Sequence, residues 1–260
     1  EKIWNGYSDT RMGASMDSYL NGYNDPRLPV YFQPVTEGDN KGEYRGVANG
    51  MPNPQQDDYK AMSAPNVQEK STDSPLRWMM ASEVAFLRAE GAMRGWTAEM
   101  GGTAEEFYNK GIELSFLENG LSADAAARYA ADETSKPTDF TDVSTANTKY
   151  NISAVGKITI KLNAGASEEE QLERIITQKW IAMFPNGTEA WSEFRRTGYP
   201  LIFPVRSNYP TSGVDTNKQI RRMVFPQSEY SNNGAAVQEA VKLLGGPDNG
   251  GTKLWWDKKN

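Results

Sequence analysis

Two rings, Tyr44 and Tyr59, bracket a stretch that also holds Arg45, Asn49, Asn53, Gln55, Gln56 and Asp57. Flat rings can lie against the apolar faces of a sugar while amides, carboxylates and guanidinium groups meet its hydroxyls, provided the loops that carry them form a shallow, preformed depression. Trp4, Tyr7 and Trp96 are further rings in or beside loop segments. A second reading stays open for every one of these rings, because large aromatics also cover cores. Reaction chemistry is more tightly bounded. The 260 residues include neither histidine nor cysteine. The chain therefore cannot by itself build a disulfide, a thiolate nucleophile, a Cys or His zinc site, a Ser-His-Asp triad or a histidine general base. Glycoside hydrolysis needs only two carboxylates, roughly 5–10 Å apart. With 34 acidic residues such a pair arises by chance, and nothing in the local sequence marks one as acid and another as nucleophile. The chain is read as a binding protein rather than an enzyme, with no catalytic residue and no cofactor. Asp39-Asn40, with Glu37 and Glu43 nearby, could offer hard oxygens to calcium, but the spacing is not that of an EF-hand, so solvated loop is expected and no metal site is assigned.

Charge and composition narrow the partners. The 28 basic and 34 acidic residues give a net charge of -6, which disfavours phosphate backbones, and the pairs Arg195-Arg196, Arg221-Arg222 and Lys258-Lys259 do not grow into a basic stripe. No nucleic-acid partner is expected. No window approaches the ~20 apolar residues that span a bilayer. The chain opens on Glu1-Lys2-Ile3-Trp4, without an initiator Met or a signal peptide, and is expected to be a processed, trimmed or fragmentary product.

The elements that must position these residues fall into two parts. Residues 1–75 are rich in Gly, Pro, Asn and Asp, with a short helix over 15–21 capped by Ser15 and brief strands around 44–47. From residue 76 onward the chain reads as helical hairpins with loop insertions and a C-terminal tail. Ser74-Pro75 predicts a helix start, with Trp78, Ala81, Ala85, Ala89 and Ala92 as its buried stripe, Leu76, Val84 and Leu87 widening it, and Gly95 as its end. Thr103 with Glu106 predicts a capping box for a second helix reaching Asn119-Gly120, and residues 122–132 a third. After a loop with a possible strand at 157–162, Ser167-Glu168-Glu169-Glu170 predicts a capping box for a helix burying Leu172, Ile175, Ile176, Trp180 and Met183. Residues 188–196 form its partner, and 233–244 a last helix. Small residues beside rings, as at Gly91, Ala92, Tyr108 and Gly111, suit the close backbone approach of tetratricopeptide-like pairs, although the 34-residue repeat is missing.

Four segments, in this order, resemble the C-terminal half of the SusD/RagB family, the surface-exposed nutrient-binding lipoproteins of Bacteroidetes. The first holds Ser15-Met16-Asp17-Ser18-Tyr19-Leu20, Tyr23-Asn24-Asp25-Pro26-Arg27-Leu28 and Tyr44-Arg45-Gly46-Val47. The second is Glu83-Val84-Ala85-Phe86-Leu87-Arg88-Ala89-Glu90-Gly91-Ala92. The third runs from Ile175 through Gln178-Lys179-Trp180 and Glu189-Ala190-Trp191 to Arg195-Arg196-Thr197-Gly198-Tyr199-Pro200. The fourth combines Arg221-Arg222, Phe225-Pro226, Glu229, Gly245-Gly246, Asp248 and Leu254-Trp255-Trp256-Asp257. The resemblance implies a mainly α fold, a SusD-like superhelix of tetratricopeptide-like hairpins with long irregular loops and a few short strands. It also implies a lipid anchor and roughly the first half of a full-length protein outside this chain. Its functional implication is oligosaccharide capture at the outer-membrane surface and delivery to a TonB-dependent (SusC-like) transporter, with the membrane touched only through that anchor. A peptide-binding helical-repeat module of a nutrient uptake system is the alternative. Tyr44, Tyr59, Arg45, Asn49, Asn53, Trp4, Tyr7 and Trp96 are the expected ligand-binding residues.

Overall fold

The computed structural model describes residues 9–51, 55–66, 77–208 and 212–259. Its regular elements are helices: α1 Ala14–Gly22, α2 Leu28–Tyr31, α3 Gln56–Tyr59, α4 Ala81–Met93, α5 Thr97–Met100, α6 Ala104–Glu118, α7 Ala123–Ala130, α8 Glu168–Ala182, α9 Gly187–Thr197 and α10 Gln227–Leu243. The fold is mainly α, as the sequence predicts. Among the described residues the expected strands reduce to isolated bridges, Gly13 with Val47, Phe32 with Pro65 and Phe140 with Ile152. The stretch 157–162 explains why alternation misleads: Ile158, Ile160 and Leu162 are buried in strand-like register, yet among the described residues no neighbouring strand pairs with them. Side chains and loops take those main-chain groups instead. The Tyr23 hydroxyl donates to the Ile158 carbonyl at 3.2 Å, the Tyr108 hydroxyl to that of Ile160, and the Lys161 N–H to the Asp132 carbonyl at 2.9 Å.

The frame is α4 laid along α6 and against α8. Thr103 and Glu106 form the predicted capping box at the start of α6. Phe86 of α4 lies on Gly111 of α6, where a Cβ would sit 2.7 Å from the ring, so the two helices approach at a distance that only glycine permits. Four helix starts differ from expectation. The described part of α4 begins at Ala81 after Met80, which makes no side-chain cap, while Ser74, Pro75 and Leu76 lie outside the described residues. At α1 the cap position is Gly13, and Ser15 accepts the Phe203 N–H at 2.9 Å instead. At α8 half of the box forms: Ser167 accepts from the Glu170 N–H, but the Glu170 carboxylate turns to Arg174 at 2.7 Å. The helix α10 starts earlier than predicted, at Gln227, and Asn233 interrupts it with non-helical angles. Trp78, Ala81, Val84 and Leu87, expected in the buried stripe of α4, are exposed; Ala85, Phe86, Ala89 and Ala92 carry that burial.

Buried ion pairs tie the loops to the helices. Arg27, fully buried, grips the Asp25 carboxylate with two hydrogen bonds, 2.9 and 2.6 Å, and reaches Ser115 of α6 at 3.0 Å and Gln178 of α8 at 3.0 Å. The Tyr129 hydroxyl of α7 donates to the same carboxylate at 2.8 Å. Lys179 of α8 meets Glu189 and Glu193 of α9, both at 2.8 Å, and Glu83 of α4 at 3.9 Å. Burial works against its ammonium, but the Glu193 charge and the hydrogen bonds to both α9 carboxylates outweigh it and lift the pKa. Arg196 then bridges Glu193 and Glu90, each at 2.6 Å, so both Glu83 and Glu90 of α4 end on buried or half-buried cations. In the tail, Trp256 faces the Arg195 guanidinium, which is sandwiched against Trp191, and Arg221 pairs with Asp257 at 2.7 Å. Trp256 thus staples the tail, whereas Trp255 is exposed.

Candidate functional site

Around the start of α1 the loops are fixed by main-chain hydrogen bonds together with apolar packing, in which Met12 joins the main core and Ala14 and Ala48 pack with Phe140 and Phe203. The Val47 N–H donates to the Met12 carbonyl at 2.8 Å, the Ala14 N–H to Val47 at 2.9 Å and the Met12 N–H to Ser63 at 2.8 Å, so residues 12–14 run between two loop strands of chain. Asp17 of α1 accepts the Gly46 N–H at 2.6 Å and the Asn21 amide at 2.7 Å, and Asn21 also donates to the Tyr44 carbonyl at 2.8 Å. Burial raises the Asp17 pKa, against those two donors. On the other side the Arg206 N–H donates to the Asn49 carbonyl at 2.8 Å, and both the N–H and the hydroxyl of Ser207 donate to Gly50 at 3.1 Å. Gly50 sits at φ +72, with Ser207 O 2.7 Å from where a Cβ would be; a side chain is excluded twice over. The short α3 is held at its far end, where the Thr145 N–H donates to the Asp58 carbonyl at 2.9 Å. Asp57 and Asp58 occupy its first turn.

These segments enclose an open depression of about 340 Å³. Its floor is Met12, Gly13, Val47 and Ala48, and its rim is Asp9, Arg11, Asn49, Gly50, Met51 and Tyr59. Arg11 donates to the Lys60 carbonyl at 2.6 Å, and Gln56 to Asp9 at 2.8 Å. Burial lowers the Arg11 pKa, while the facing Tyr59 and Asp9 raise it. The depression thus offers one ring, the Met51 thioether, an exposed side-chain amide, a carboxylate and a guanidinium on a floor held by main-chain hydrogen bonds. That set can stack on an apolar face and exchange hydrogen bonds with hydroxyls. Among the described residues Asp9 is the one carboxylate lining it. Among the described residues no cluster of three Asp or Glu side chains is placed to hold a metal ion. The loop at 37–43 is exposed or half-exposed, and Glu43 pairs with Arg45 at 2.8 Å.

Of the residues predicted from sequence, Asn49 and Tyr59 meet in this depression. Tyr44 turns the other way and packs half-buried against the main core, and Arg45 lies beside Glu43. Trp96 is an exposed ring beyond the C-terminal end of α4, on a different element from the depression. Trp4, Tyr7 and Asn53 lie outside the described residues. Asp9, Arg11, Met12 and Met51 were not predicted, and no local sequence pattern marks them.

The SusD-like family, described as SusD and RagB outer membrane lipoprotein, matches residues 1–257. A chitin-binding SusD homologue from Flavobacterium johnsoniae superposes with a TM-score of 0.89 at 43% identity, covering 100% of this chain and 52% of its own. A SusD homologue from Bacteroides thetaiotaomicron gives 0.89 at 41% identity, covering 100% and 54%, and one from Bacteroides vulgatus 0.90 at 38%, covering 98% and 51%. The chain thus spans about half the length of the solved structures it resembles. Curated proteins yield no match. Among the described residues no helix is long and apolar enough to cross a membrane.

Proposed function

Because the chain belongs to the SusD-like family of outer-membrane lipoproteins, we propose that it binds oligosaccharide without catalysis, through the depression at Asn49 and Tyr59. In this reading Tyr59 stacks on a sugar face, Asn49 and Asp9 meet hydroxyls, and Arg11 holds the rim to Lys60. The observation that carries it is the depression itself: segments 9–13, 47–51 and 55–60 are locked by main-chain bonds, so ligand groups meet a surface that is already ordered. The Flavobacterium homologue described as chitin-binding makes chitin oligosaccharides the first ligands to test. Surface exposure, the lipid anchor and handover to a TonB-dependent (SusC-like) transporter complete the proposal, with capture raising the local ligand concentration above the transporter mouth.

Calorimetric titration with chitin oligosaccharides, other oligosaccharides and peptides of similar length tests it. The expected result is saccharide binding that weakens about tenfold in Tyr59→Ala, the scale of one aromatic contact of ~1.4 kcal/mol. Peptide binding in place of saccharide binding would favour the alternative module, and product formation on prolonged incubation would overturn the non-catalytic reading.

A further inference from the structure

Seven asparagines in this chain are followed by glycine, at positions 5, 21, 49, 119, 186, 233 and 249. Such a pair carries a latent reaction: the glycine nitrogen can close on the side-chain amide carbon, because the following residue has no side chain to stand in the way. The fold decides which pairs can use it, since an amide or an N–H already engaged must first let go. Asn5 lies outside the described residues. Asn21, inside α1, donates to Asp17 at 2.7 Å and to the Tyr44 carbonyl at 2.8 Å. Asn119 donates to the Ser115 carbonyl at 2.7 Å, and the Gly120 N–H to that of Leu117 at 3.1 Å. Asn186 accepts the Glu189 N–H as the cap of α9, while the Gly187 N–H donates to the Pro185 carbonyl at 2.8 Å. Asn249 accepts from the N–H groups of Gly251 and Thr252 at 2.9 and 3.0 Å. Asn233 is exposed but sits within α10, whose turns hold it on both sides.

Asn49 is placed differently. Its side chain is exposed, and among the described residues neither its amide nor the Gly50 N–H has a hydrogen-bond partner. The bonds that fix this turn leave both reacting atoms alone: Arg206 and Ser207 donate to the carbonyl oxygens of Asn49 and Gly50, which make no bond in the ring closure. The bond from Arg206 falls on the carbonyl of the same peptide whose nitrogen reacts, and drawing electrons toward that oxygen makes the N–H more acidic. Gly50 cannot be exchanged, because its φ of +72 and the nearby Ser207 O exclude a side chain.

We propose that Asn49 is a site of spontaneous deamidation and that the product switches off the depression. The Gly50 nitrogen loses its proton to hydroxide and bonds to the Asn49 side-chain carbon; the bond from that carbon to Nδ2 breaks and ammonia leaves, giving a five-membered succinimide. Water then adds to one of the two ring carbonyls and opens the ring to aspartate or isoaspartate. The net exchange is one water in and one ammonia out, with no oxidation or reduction. Either product removes an amide and puts a second carboxylate into the depression that already holds Asp9. Isoaspartate also lengthens the main chain by one carbon at the point Arg206 holds. The loss of ligand rests on the saccharide reading above; the reaction itself does not.

The 260-residue chain is aged in mildly alkaline buffer, where the N–H proton is lost faster, then sampled for peptide mass mapping in acid buffer and for titration with a chitin oligosaccharide. Conversion at position 49 is expected to run at least about tenfold faster than at positions 21, 119, 186 and 249, the scale of the one or two hydrogen bonds those pairs must break. The fraction of chain that binds saccharide is expected to fall in step with it, while circular dichroism shows the aged chain still folded. Asn233→Ala removes the other unlocked pair and is expected to lose binding at the wild-type rate. Conversion at position 49 no faster than at the locked positions would overturn the proposal, as would full binding after position 49 has converted, or a loss abolished by Asn233→Ala. A fresh chain that takes up no saccharide yet converts at position 49 would overturn the ligand reading and leave the modification site supported by the masses.

Discussion

Around Lys179 and Arg27 charged side chains satisfy one another inside a helical frame, whereas around Asn49 and Tyr59 the backbone does the holding and the side chains are left facing outward. Lys179 has carboxylates on α4 and α9, and Arg27 has partners in its own loop and on α6, α7 and α8. In the depression, by contrast, Asn49 and Gly50 are pinned through their carbonyls by Arg206 and Ser207, leaving the Asn49 amide exposed. The contrast teaches a division of labour. Polar groups that end on each other stabilise and position; polar groups whose backbone is held elsewhere remain available for a ligand.

The sharpest way to break this comparison is to remove a hub of the frame. Arg27→Met leaves the Asp25 carboxylate buried without its cation, and a loss of about 3–5 kcal/mol is expected in urea unfolding; a change below about 1 kcal/mol would place the hub outside the frame's stability. Next comes the helix contact. Gly111→Ala puts a methyl 2.7 Å from the Phe86 ring, with an expected loss of about 1–3 kcal/mol, read in the same assay. In the loops Gly50→Ala, at φ +72 and against Ser207 O, is expected to cost about 1–2 kcal/mol and to weaken saccharide binding as Asn49 shifts. Tyr44→Ala is expected to lower stability while leaving the depression intact, since that ring packs on the core.

The smallest effect is a pH dependence. Burial works against the Asp132 carboxylate, but the Ser135 hydroxyl and the N–H groups of Ser135 and Thr134 outweigh it and hold its pKa at about 2, below the usual carboxylate range. A carboxylate with a depressed folded pKa contributes stability that is full above its unfolded value and lost as pH falls through its folded value. The melting temperature of wild type is therefore expected to exceed that of Asp132→Ala by a constant margin above pH 5, and the margin to shrink from pH 4 toward pH 2. A margin independent of pH would mean that the loop at 132–135 is held by something other than that charge.

What was legible in the sequence follows the same division. Helices announce themselves by spacing and caps, so α6 with its Thr103–Glu106 box, and α8 with Leu172, Ile175 and Ile176, were foreseen almost to their ends. The Asp25-Pro26-Arg27 motif was recognisable as part of a family pattern, yet its partners Ser115, Tyr129 and Gln178 lie far along the chain and no local rule connects them. Val84 and Leu87 satisfy the helical period, but periodicity does not distinguish an inward face from a second apolar one. The site was half legible: Tyr59 and Asn49 belong to the loop chosen for its composition, whereas Asp9 and Arg11 reach the depression through hydrogen bonds between segments about fifty residues apart, Arg11 to Lys60 and Gln56 to Asp9. Composition names the residue types a sugar needs; only the folded loops decide which of them converge.

The central claim is that the depression recognises saccharide while the helical frame only holds it. Isothermal titration of wild type and Tyr59→Ala with a chitin oligosaccharide, alongside urea unfolding of both, tests it most directly. The account predicts affinity about tenfold lower in the variant with the unfolding midpoint nearly unchanged; equal affinity in the two proteins, at equal stability, would contradict it.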